Sequence, residues 1–461
     1  MELLVAIFPF FFASAFVAGL RQLLRGNAAG LMAFIVFALP LYFTSLSVSY
    51  MLGLGTYIPV LQATKELMVV VALAVIVWQL NRRFKPTTTD WILILYVAYA
   101  ALYLFVPSGF SFKERLLAFK GLAFFPVVYF AGRLVDPGQI NLRKWLSYIC
   151  VVTIVAGALV AYEALSGEHL QQHTGYADYN LNFFNMEPAG NFGLTWTFET
   201  GSGHKRFASF YSMPLEHAAA TLISASAIFA LSYKRLGRFR LSPLLIVTAL
   251  ATLLSIAFAL SRASFVGYFI MLYVYAFAAG KRSWLMGINA MIGVGVLAWM
   301  VWIKGDILGW VLETIQFADT SSMSHLLEWI DGIQAMIANP FGLGLGTSGR
   351  VSGAFGENIG GENQLIIIGV QLGFVGVALY AAAYVTVIWN GILAFRNSNG
   401  KEARLGLMLF LSRVGLIIPL FTSEVESYIY ISYLLWFLSG LLVNMQVKTK
   451  RVHAEAIAVG Y

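Results

Sequence analysis

The sequence predicts an all-α polytopic membrane protein, and three observations lead to that fold class. Apolar residues make up 59% of the 461 residues and charged residues only 11%, whereas soluble domains carry about 25% charged residues. The mean hydropathy is +0.77. Many apolar runs approach the length of about 20 residues that crosses a bilayer core. We therefore interpret residues 1–461 as a single membrane domain.

Thirteen apolar runs are expected to form transmembrane helices. The first run lacks a basic leader and continues directly into RQLLR, so we interpret it as a span rather than a signal peptide. The lone cysteine, Cys150, lies inside an apolar run and excludes a metal site built from several cysteines. The thirteen runs lie approximately at 3–20, 28–48, 63–80, 91–107, 117–132, 145–165, 215–232, 242–260, 264–280, 284–303, 364–392, 405–421 and 429–446.

The distribution of basic residues predicts the orientation of these spans. Most of the 30 lysines and arginines fall in loops on one side, such as KRLGRFR at 234–240. The positive-inside rule makes that side cytoplasmic, which puts the N-terminus outside and the C-terminus in the cytoplasm. The net charge of +8 is thereby explained by topology and not by nucleic-acid binding. A few basic residues on the outer side work against this signal and need another reason: Lys113, Arg115, Lys120, Lys205, Arg206, Arg262, Lys304 and Arg350.

Two long loops are predicted on the outer side, at 166–214 and at 304–363. Long connections within a compact domain are usually functional. The second loop contains a segment whose apolar residues repeat every three to four positions, which predicts an amphipathic helix that begins near Ser324 and ends before Pro340. This helix either lies flat at the membrane interface or packs on the ends of the spans. Its apolar face consists of Leu326, Trp329, Ile330, Ile333 and Ile337.

Two motifs in the second loop each allow a functional and a structural interpretation. In NPFGLGLGTSG at 339–349, glycines such as Gly344 and Gly346 either bring backbone N–H groups close to a phosphate or sugar or form a flexible loop. The Gly-Lys-Ser/Thr of a Walker loop is missing. In the pair Glu362-Asn363, the carboxylate is either a general base or part of a helix N-cap.

Three arginines allow the same two interpretations. Arg262 lies in SRAS between two spans, where it either binds an anion or extends to the lipid headgroups. Arg206, in RFASFYSMP at 206–214, is either a ligand-binding residue or a surface charge. Arg413 lies at the centre of a span and needs a carboxylate or a bound anion as its partner. The histidines show no metal-ligand spacing, so no metal site is predicted.

Taken in order, these motifs resemble the O-antigen ligase and polysaccharide repeat-unit polymerase superfamily. The resemblance rests on RFASFYSMP, SRAS, the helix ending in NPFGLGLG, and ENQLIIIGVQLGFVG at 362–376. It covers about residues 200–392, with weaker support from FKERLLAFKGLAFFPVVYF at 112–130. The chain departs from the pattern at three positions: Glu362 replaces the histidine of the ligases, His325 stands where relatives often have arginine, and Gln371 replaces an acid.

The resemblance implies a GT-C-like glycosyltransferase of the bacterial inner membrane. Such an enzyme would join undecaprenyl-pyrophosphate-linked oligosaccharide units into O-antigen or exopolysaccharide at the outer face, without a metal or another cofactor. Its implied partners are the lipid-linked oligosaccharide, membrane lipid and a chain-length regulator (co-polymerase), with no nucleic acid. The implied catalytic residues are Glu362, Arg262 and Arg206, and the implied substrate-binding residues are Lys120, Arg115, Arg413, Asn363, His325, Gly344 and Gly346.

Two alternative functions stay open. A ligase would transfer the lipid-linked glycan to another acceptor with the same chemistry. A flippase would carry the lipid-linked glycan across the membrane, and would need a charged cavity through many spans and repeated halves. The interior charges of this sequence are few and most polar residues lie in the loops, which favours the glycosyltransferase.

Overall fold

The protein is a bundle of helices. The computed structural model describes residues 5–80, 84–233, 242–302, 320–354 and 358–458, and extended pairing within them is limited to isolated bridges in the segment before Pro214. Numbered in chain order, the helices are α1 Ile7–Leu24, α2 Ala29–Met51, α3 Ile58–Trp78, α4 Thr88–Leu102, α5 Phe112–Ala123, α6 Phe125–Leu134, α7 Leu142–Ser166, α8 Tyr176–Phe184, α9 Pro214–Ser232, α10 Pro243–Ala259, α11 Arg262–Ala278, α12 Arg282–Trp302, α13 Thr320–Ala338, α14 Arg350–Gly353, α15 Gln364–Asn397, α16 Gly400–Gly415, α17 Ile417–Thr422 and α18 Ile429–Ala458.

The predicted fold class is confirmed, whereas the predicted number of spans is not. Each of the thirteen apolar runs overlaps at least one helix. Within the described ranges, eight helices are long and apolar enough to cross a membrane, or up to nine if the bent pair of α5 and α6 is one span. Helices α4, α10 and α11 are apolar but shorter. A count of thirteen spans, the orientation and the bacterial inner membrane therefore stay predictions.

The predicted span at 117–132 falls across two helices that meet at an angle of 47°. Pro126 occupies the first turn of α6, where its missing N–H interrupts the hydrogen bonding that would continue α5. The start of α5 is fixed by a capping box, in which Ser111 and Glu114 accept each other's backbone N–H groups. The bend aims α5, which carries Arg115 and Lys120, away from the axis of α6.

Close contact between α6 and α18 depends on two glycines. A Cβ atom at Gly132 would lie 1.8 Å from the Phe437 carbonyl oxygen, and one at Gly440 would lie 2.0 Å from that of Tyr129. Small residues at such crossings let two helix backbones approach, which is the usual way that helices pack inside membranes. These helices form the centre of the buried core.

The predicted first loop, 166–214, is a folded segment that contains α8 and two short 3₁₀ turns. Glu163, in the last turn of α7, accepts backbone N–H groups from Leu170 and Ser209, each at 2.9 Å. Gln171 donates its side-chain amide to the carbonyl oxygens of Ser209 (2.7 Å) and Tyr211 (3.1 Å). These bonds fix the backbone just after Arg206, so its position is set by the end of α7.

The predicted amphipathic helix in the second loop is present as α13 and ends at Ala338, before Pro340, but it begins at Thr320, so the predicted start near Ser324 is wrong. One face packs on α15, where Gly332 lies against Ile366 and Met336 against Gly369. Another apolar stripe is exposed, with Ile337 65% accessible. The helix therefore packs on a span, which is one of the two predicted arrangements, and a location of its exposed stripe at the membrane interface stays a prediction. Residues 303–319 and 355–357 of the predicted loop, including Lys304, lie outside the described residues.

Candidate active site

The glycine-rich segment is held against a break in α15. Gly373 has φ 67° and ψ −172°, which interrupts the helix, and a Cβ there would lie 2.2 Å from the Pro340 carbonyl oxygen. Only glycine adopts this backbone conformation readily. The carbonyl of Val370, which the break leaves without an intrahelical partner, accepts the N–H of Leu343 at 2.7 Å. The segment is therefore ordered by hydrogen bonds to α15.

The predicted ligand contacts of Gly344 and Gly346 are not supported by their hydrogen bonding. Both amides donate to Gln371, that of Gly344 to the backbone oxygen at 3.1 Å and that of Gly346 to the side-chain oxygen at 2.9 Å. The side-chain nitrogen of Gln371 donates in turn to the Ser348 carbonyl oxygen at 2.8 Å. Both amides are used in hydrogen bonds that hold the loop against α15, and their contact with a ligand stays a prediction.

Asn363 is the N-cap of α15, and Glu362 is not. The Oδ1 atom of Asn363 accepts the backbone N–H groups of Leu365 at 2.9 Å and Ile366 at 3.3 Å. The Glu362 side chain is exposed and forms no hydrogen bond or ion pair with the described parts of the chain. The capping interpretation of the Glu362-Asn363 pair thus belongs to Asn363, and the Glu362 carboxylate is free to contact a ligand.

Charged groups from two other helices, α13 and α14, act on the Glu362 carboxylate. The side chain keeps contact with solvent, but dense protein around the carboxylate raises its pKa above the usual range. His325 lowers that pKa, Glu328 raises it, and Arg350 lowers it, in decreasing order of effect. The net result is a carboxylate with a raised pKa at the start of α15, which is what a general base working near neutral pH requires.

His325 is placed beside Glu362 by α13. Its Nδ1 atom lies 3.5 Å from Oε2 of Glu328, one turn further along the helix. Glu328 is the main cause of a raised His325 pKa, partial burial opposes it, and Glu362 adds to the increase. Arg262 acts on the same imidazole and lowers its pKa. His325 therefore interacts with both Glu362 and Arg262, and the roles that the resemblance implies for these three residues stay predictions.

Arg206 and Arg262 are neighbours although 56 residues separate them in the chain. Burial lowers the pKa of the Arg206 guanidinium, and the positive charge of Arg262 lowers it further. The Nε atom of Arg206 is buried and has no hydrogen-bond partner among the described residues. Their backbones are joined through the Phe207 N–H, which donates to the Phe258 carbonyl oxygen at 3.1 Å near the end of α10. Two guanidinium groups in the same region suit a polyanionic ligand, because each guanidinium can match two of its oxygens.

Two of the other predicted binding residues have partners inside the protein. Arg115 donates from Nη1 to the carbonyl oxygens of Leu104 (2.8 Å) and Val106 (3.0 Å), which follow the end of α4. Arg413 is buried within α16, with Nη1 4.0 Å from Oε1 of Glu426 and its guanidinium 4.2 Å from the Trp436 ring centre. The predicted carboxylate partner of Arg413 is therefore present, and the structure gives both residues a structural role. A role in substrate binding stays a prediction.

A cavity of about 310 Å³ lies beside this site, between α2, α3, α5, α8 and the segment that precedes α18. Lys120, a predicted binding residue, lines it and forms an ion pair with Glu66 at 3.0 Å. Lys65 pairs with the same carboxylate at 2.8 Å. The charged side chains of the lining are Lys65, Glu66, Lys120, Arg350, Glu424 and Glu426, and its aromatic rings include Tyr42, Phe43, Phe124, Phe183, Phe184 and Tyr433.

Arg350 connects the cavity with Glu362, and the sequence analysis did not place it in the site. Its backbone N–H donates to Oε2 of Glu424 at 2.9 Å, and its guanidinium lies over the rings of Phe184 (4.7 Å) and Phe43 (5.4 Å). The only sequence signal was its position as a basic residue on the predicted outer side. Lys65 and Glu66 were also missed, although two adjacent charges at the start of an apolar run are a recognised sign of function.

Among the described residues, no group of three or more histidine, cysteine, aspartate or glutamate side chains is arranged to hold a metal ion. Whether the reaction depends on a metal stays untested. Comparison with known proteins found no matching family model and no matching curated sequence.

Proposed function

We propose that this protein is a membrane glycosyltransferase that joins lipid-pyrophosphate-linked oligosaccharide units into a polysaccharide. The observation that supports this most is the convergence of four predicted residues from four segments. Glu362 interacts electrostatically with His325, His325 with Arg262, and Arg262 with Arg206, close to the ends of apolar helices. A base beside a pair of arginines fits the transfer of a glycosyl group from a phosphate leaving group.

The proposed reaction assigns a separate step to each group. An acceptor hydroxyl oxygen forms a bond to the anomeric carbon while the bond from that carbon to the pyrophosphate oxygen breaks. The hydroxyl proton passes to the Glu362 carboxylate. Arg206 and Arg262 stabilise the negative charge that develops on the leaving pyrophosphate, since a guanidinium matches two phosphate oxygens at once. The lipid pyrophosphate is released, and the product glycan remains on the lipid that carried the acceptor.

Polymerase and ligase differ only in the acceptor. The purified protein, reconstituted in lipid nanodiscs with undecaprenyl-pyrophosphate-linked repeat units as the only glycan, is expected to form a ladder of longer products. A ligase would leave these units unchanged until a second acceptor is added. A flippase would form no ladder and would move the units across a liposome membrane.

Two conservative substitutions test the arginines. Arg262→Lys and Arg206→Lys keep the positive charge but lose the bidentate geometry, so ladder formation is expected to fall by about a hundredfold, as for loss of one transition-state donor. Arg396→Lys, at the exposed end of α15, is the matched control and is expected to retain full activity. Normal ladder formation by both site variants would exclude a role of the two arginines in pyrophosphate departure.

A further inference from the structure

We propose that the cavity beside Glu362 binds an acidic sugar residue of the acceptor glycan, with Arg350 as the main ligand of its anionic group. The inference rests on the proposed function, because it names the acceptor of that reaction. It depends on the charge balance of the cavity, on the free guanidinium of Arg350, on the aromatic walls, and on the position of the cavity relative to Glu362.

The lysines of the cavity are not fully neutralised by its carboxylates. Lys65 and Lys120 share the single carboxylate of Glu66, at 2.8 Å and 3.0 Å. The Lys120 side chain is 44% accessible, so it is open to the cavity. Two positive charges on one negative charge leave an excess of positive charge in this wall.

The Arg350 guanidinium adds to that excess. Within the described residues it forms no hydrogen bond or ion pair, and its contacts are with the faces of Phe43 and Phe184. A guanidinium carries five N–H donors in a planar fork that matches the two oxygens of a carboxylate. Contact with both rings holds the guanidinium in place, but its donors have no acceptor among the described residues. It is therefore prepared for an oxygen-rich anionic ligand.

The other two carboxylates of the lining, those of Glu426 and Glu424, already have partners within the protein. The charge of Glu426 is paired with that of Arg413, whose Nη1 lies 4.0 Å from Oε1, and the carboxylate also accepts the hydroxyl of Tyr380 at 2.8 Å and the indole N–H of Trp436 at 3.0 Å. Glu424 accepts the backbone N–H of Arg350, and burial raises its pKa to about 7, so it is only partly charged at neutral pH. Neither carboxylate is bonded to the Arg350 guanidinium, although Glu424 interacts with its charge. The unmatched charge of the cavity is positive.

The size and walls of the cavity favour a sugar ring as the carrier of the anion. Its volume of about 310 Å³ is at the lower end of the roughly 300–1,000 Å³ of small-molecule sites. A pyranose ring presents flat C–H faces, which pack on aromatic rings such as those of Phe183 and Tyr433. A free inorganic anion would use the charges but not these rings.

The cavity is placed to deliver an acceptor hydroxyl to the base. Gln364, the first residue of α15, accepts the backbone N–H of Glu426 at 3.0 Å, so the cavity wall is bonded to the helix that begins two residues after Glu362. The charge of Arg350 acts on Glu362 directly. A sugar anchored by its acidic group at Arg350 therefore lies next to the Glu362 carboxylate.

Isothermal titration calorimetry of the full-length protein in nanodiscs tests the inference. The probes are a digalacturonate, the neutral digalactose of the same linkage, and inorganic pyrophosphate. Digalacturonate is expected to bind at least tenfold more tightly than digalactose, and Arg350→Gln is expected to weaken it at least tenfold. Arg396→Gln removes an exposed arginine far along α15 and is the matched control, with unchanged binding.

Each outcome of this experiment either supports or overturns the binding of an acidic sugar at Arg350. Equal binding of the neutral and acidic disaccharides, or unchanged digalacturonate binding by Arg350→Gln, overturns the inference. Competition by pyrophosphate that Arg350→Gln abolishes would assign the cavity to the lipid-linked donor instead and also overturns it. If Arg350→Gln does not fold, Arg350→Lys, which keeps the charge and loses the fork, is measured in its place. Ladder formation is not part of this readout, so a failure of the polymerase proposal is seen separately.

Discussion

Substitution of Glu362 by glutamine separates the chemistry of this residue from the stability of α15. The two adjacent side chains have different contacts: Asn363 accepts two backbone N–H groups, whereas Glu362 forms no hydrogen bond with the described residues. Glu362→Gln is therefore expected to change the free energy of unfolding by no more than about 0.5 kcal/mol, as for ordinary surface substitutions. Asn363→Ala removes the cap and is expected to cost about 0.5–2 kcal/mol.

The expected effects of Glu362→Gln and Asn363→Ala on activity are in the opposite order to their effects on stability. General base catalysis contributes about 10²–10⁴-fold to a rate. At about 1.36 kcal/mol per factor of ten, Glu362→Gln would raise the activation barrier by roughly 2.7–5.5 kcal/mol. Asn363→Asp keeps a capping oxygen and is the control for stability, with a near-normal free energy of unfolding.

The assay measures the initial rate of ladder formation beside the melting temperature of each variant in the same nanodiscs. A large loss of rate without a loss of stability in Glu362→Gln, together with the opposite pattern in Asn363→Ala, supports the base. Wild-type ladder formation by folded Glu362→Gln would refute it, and the reaction would then depend on positioning and on arginine-assisted departure of the pyrophosphate.

The pH dependence follows from the sign of the Glu362 pKa shift. A base acts in its deprotonated form, so the rate is expected to rise with pH through the raised pKa of Glu362. His325 lowers that pKa by its positive charge. Removing the charge in His325→Gln is expected to move the rising limb to higher pH, whereas an unchanged or lower limb would mean that His325 does not act on the base.

Three further predictions concern the fold and the topology. Gly373→Ala is expected to destabilise the protein by at least about 1–3 kcal/mol, because the backbone conformation is specific to glycine and the new Cβ would meet a loop carbonyl. The control is Gly287→Ala, in open space on α12, which should leave the melting temperature unchanged or higher. Arg413→Met is expected to lower stability near the lower end of about 3–5 kcal/mol, because the ion pair is loose at 4.0 Å, and adding Glu426→Gln should recover part of the loss in thermal melts. An exposed cysteine at Ser202, in a background without the native cysteine, should react with an impermeant thiol reagent in intact spheroplasts, and labelling only after permeabilisation would contradict the predicted outward loop.

The helices could be predicted from the sequence because hydrophobicity and helix limits are local properties. The capping box at Ser111 and the proline at the start of α9 are visible in the sequence, and the structure begins helices at both. The bend before α6 was missed, because a proline in an apolar run either stays in one span or divides it, and the packing of neighbouring helices decides which. The number of membrane crossings depends on the membrane as well as on the chain.

The site could be predicted only in part, for a related reason. Arg206, Arg262 and Glu362 were proposed from motifs, since residue type and order are enough to recognise a pattern, and their roles stay predictions. Arg350 and Lys65 were missed because their role depends on which rings and carboxylates lie opposite them. The structure adds that Asn363 and not Glu362 is the cap, which sequence spacing alone leaves open.

The contacts of Arg350 imply that the acceptor adjusts its own base. Arg350 lowers the pKa of Glu362 in the free protein. An acidic sugar bound at its guanidinium would neutralise that effect, so the pKa of Glu362 would rise when the acceptor is bound and the carboxylate would become a stronger base. The rising limb of kcat reports groups in the complex and that of kcat/KM reports the free enzyme, so the kcat limb should lie at higher pH. In Arg350→Gln this separation should disappear. Coincident limbs in the wild type would mean that the acceptor does not bind at Arg350, even if Glu362 is the base.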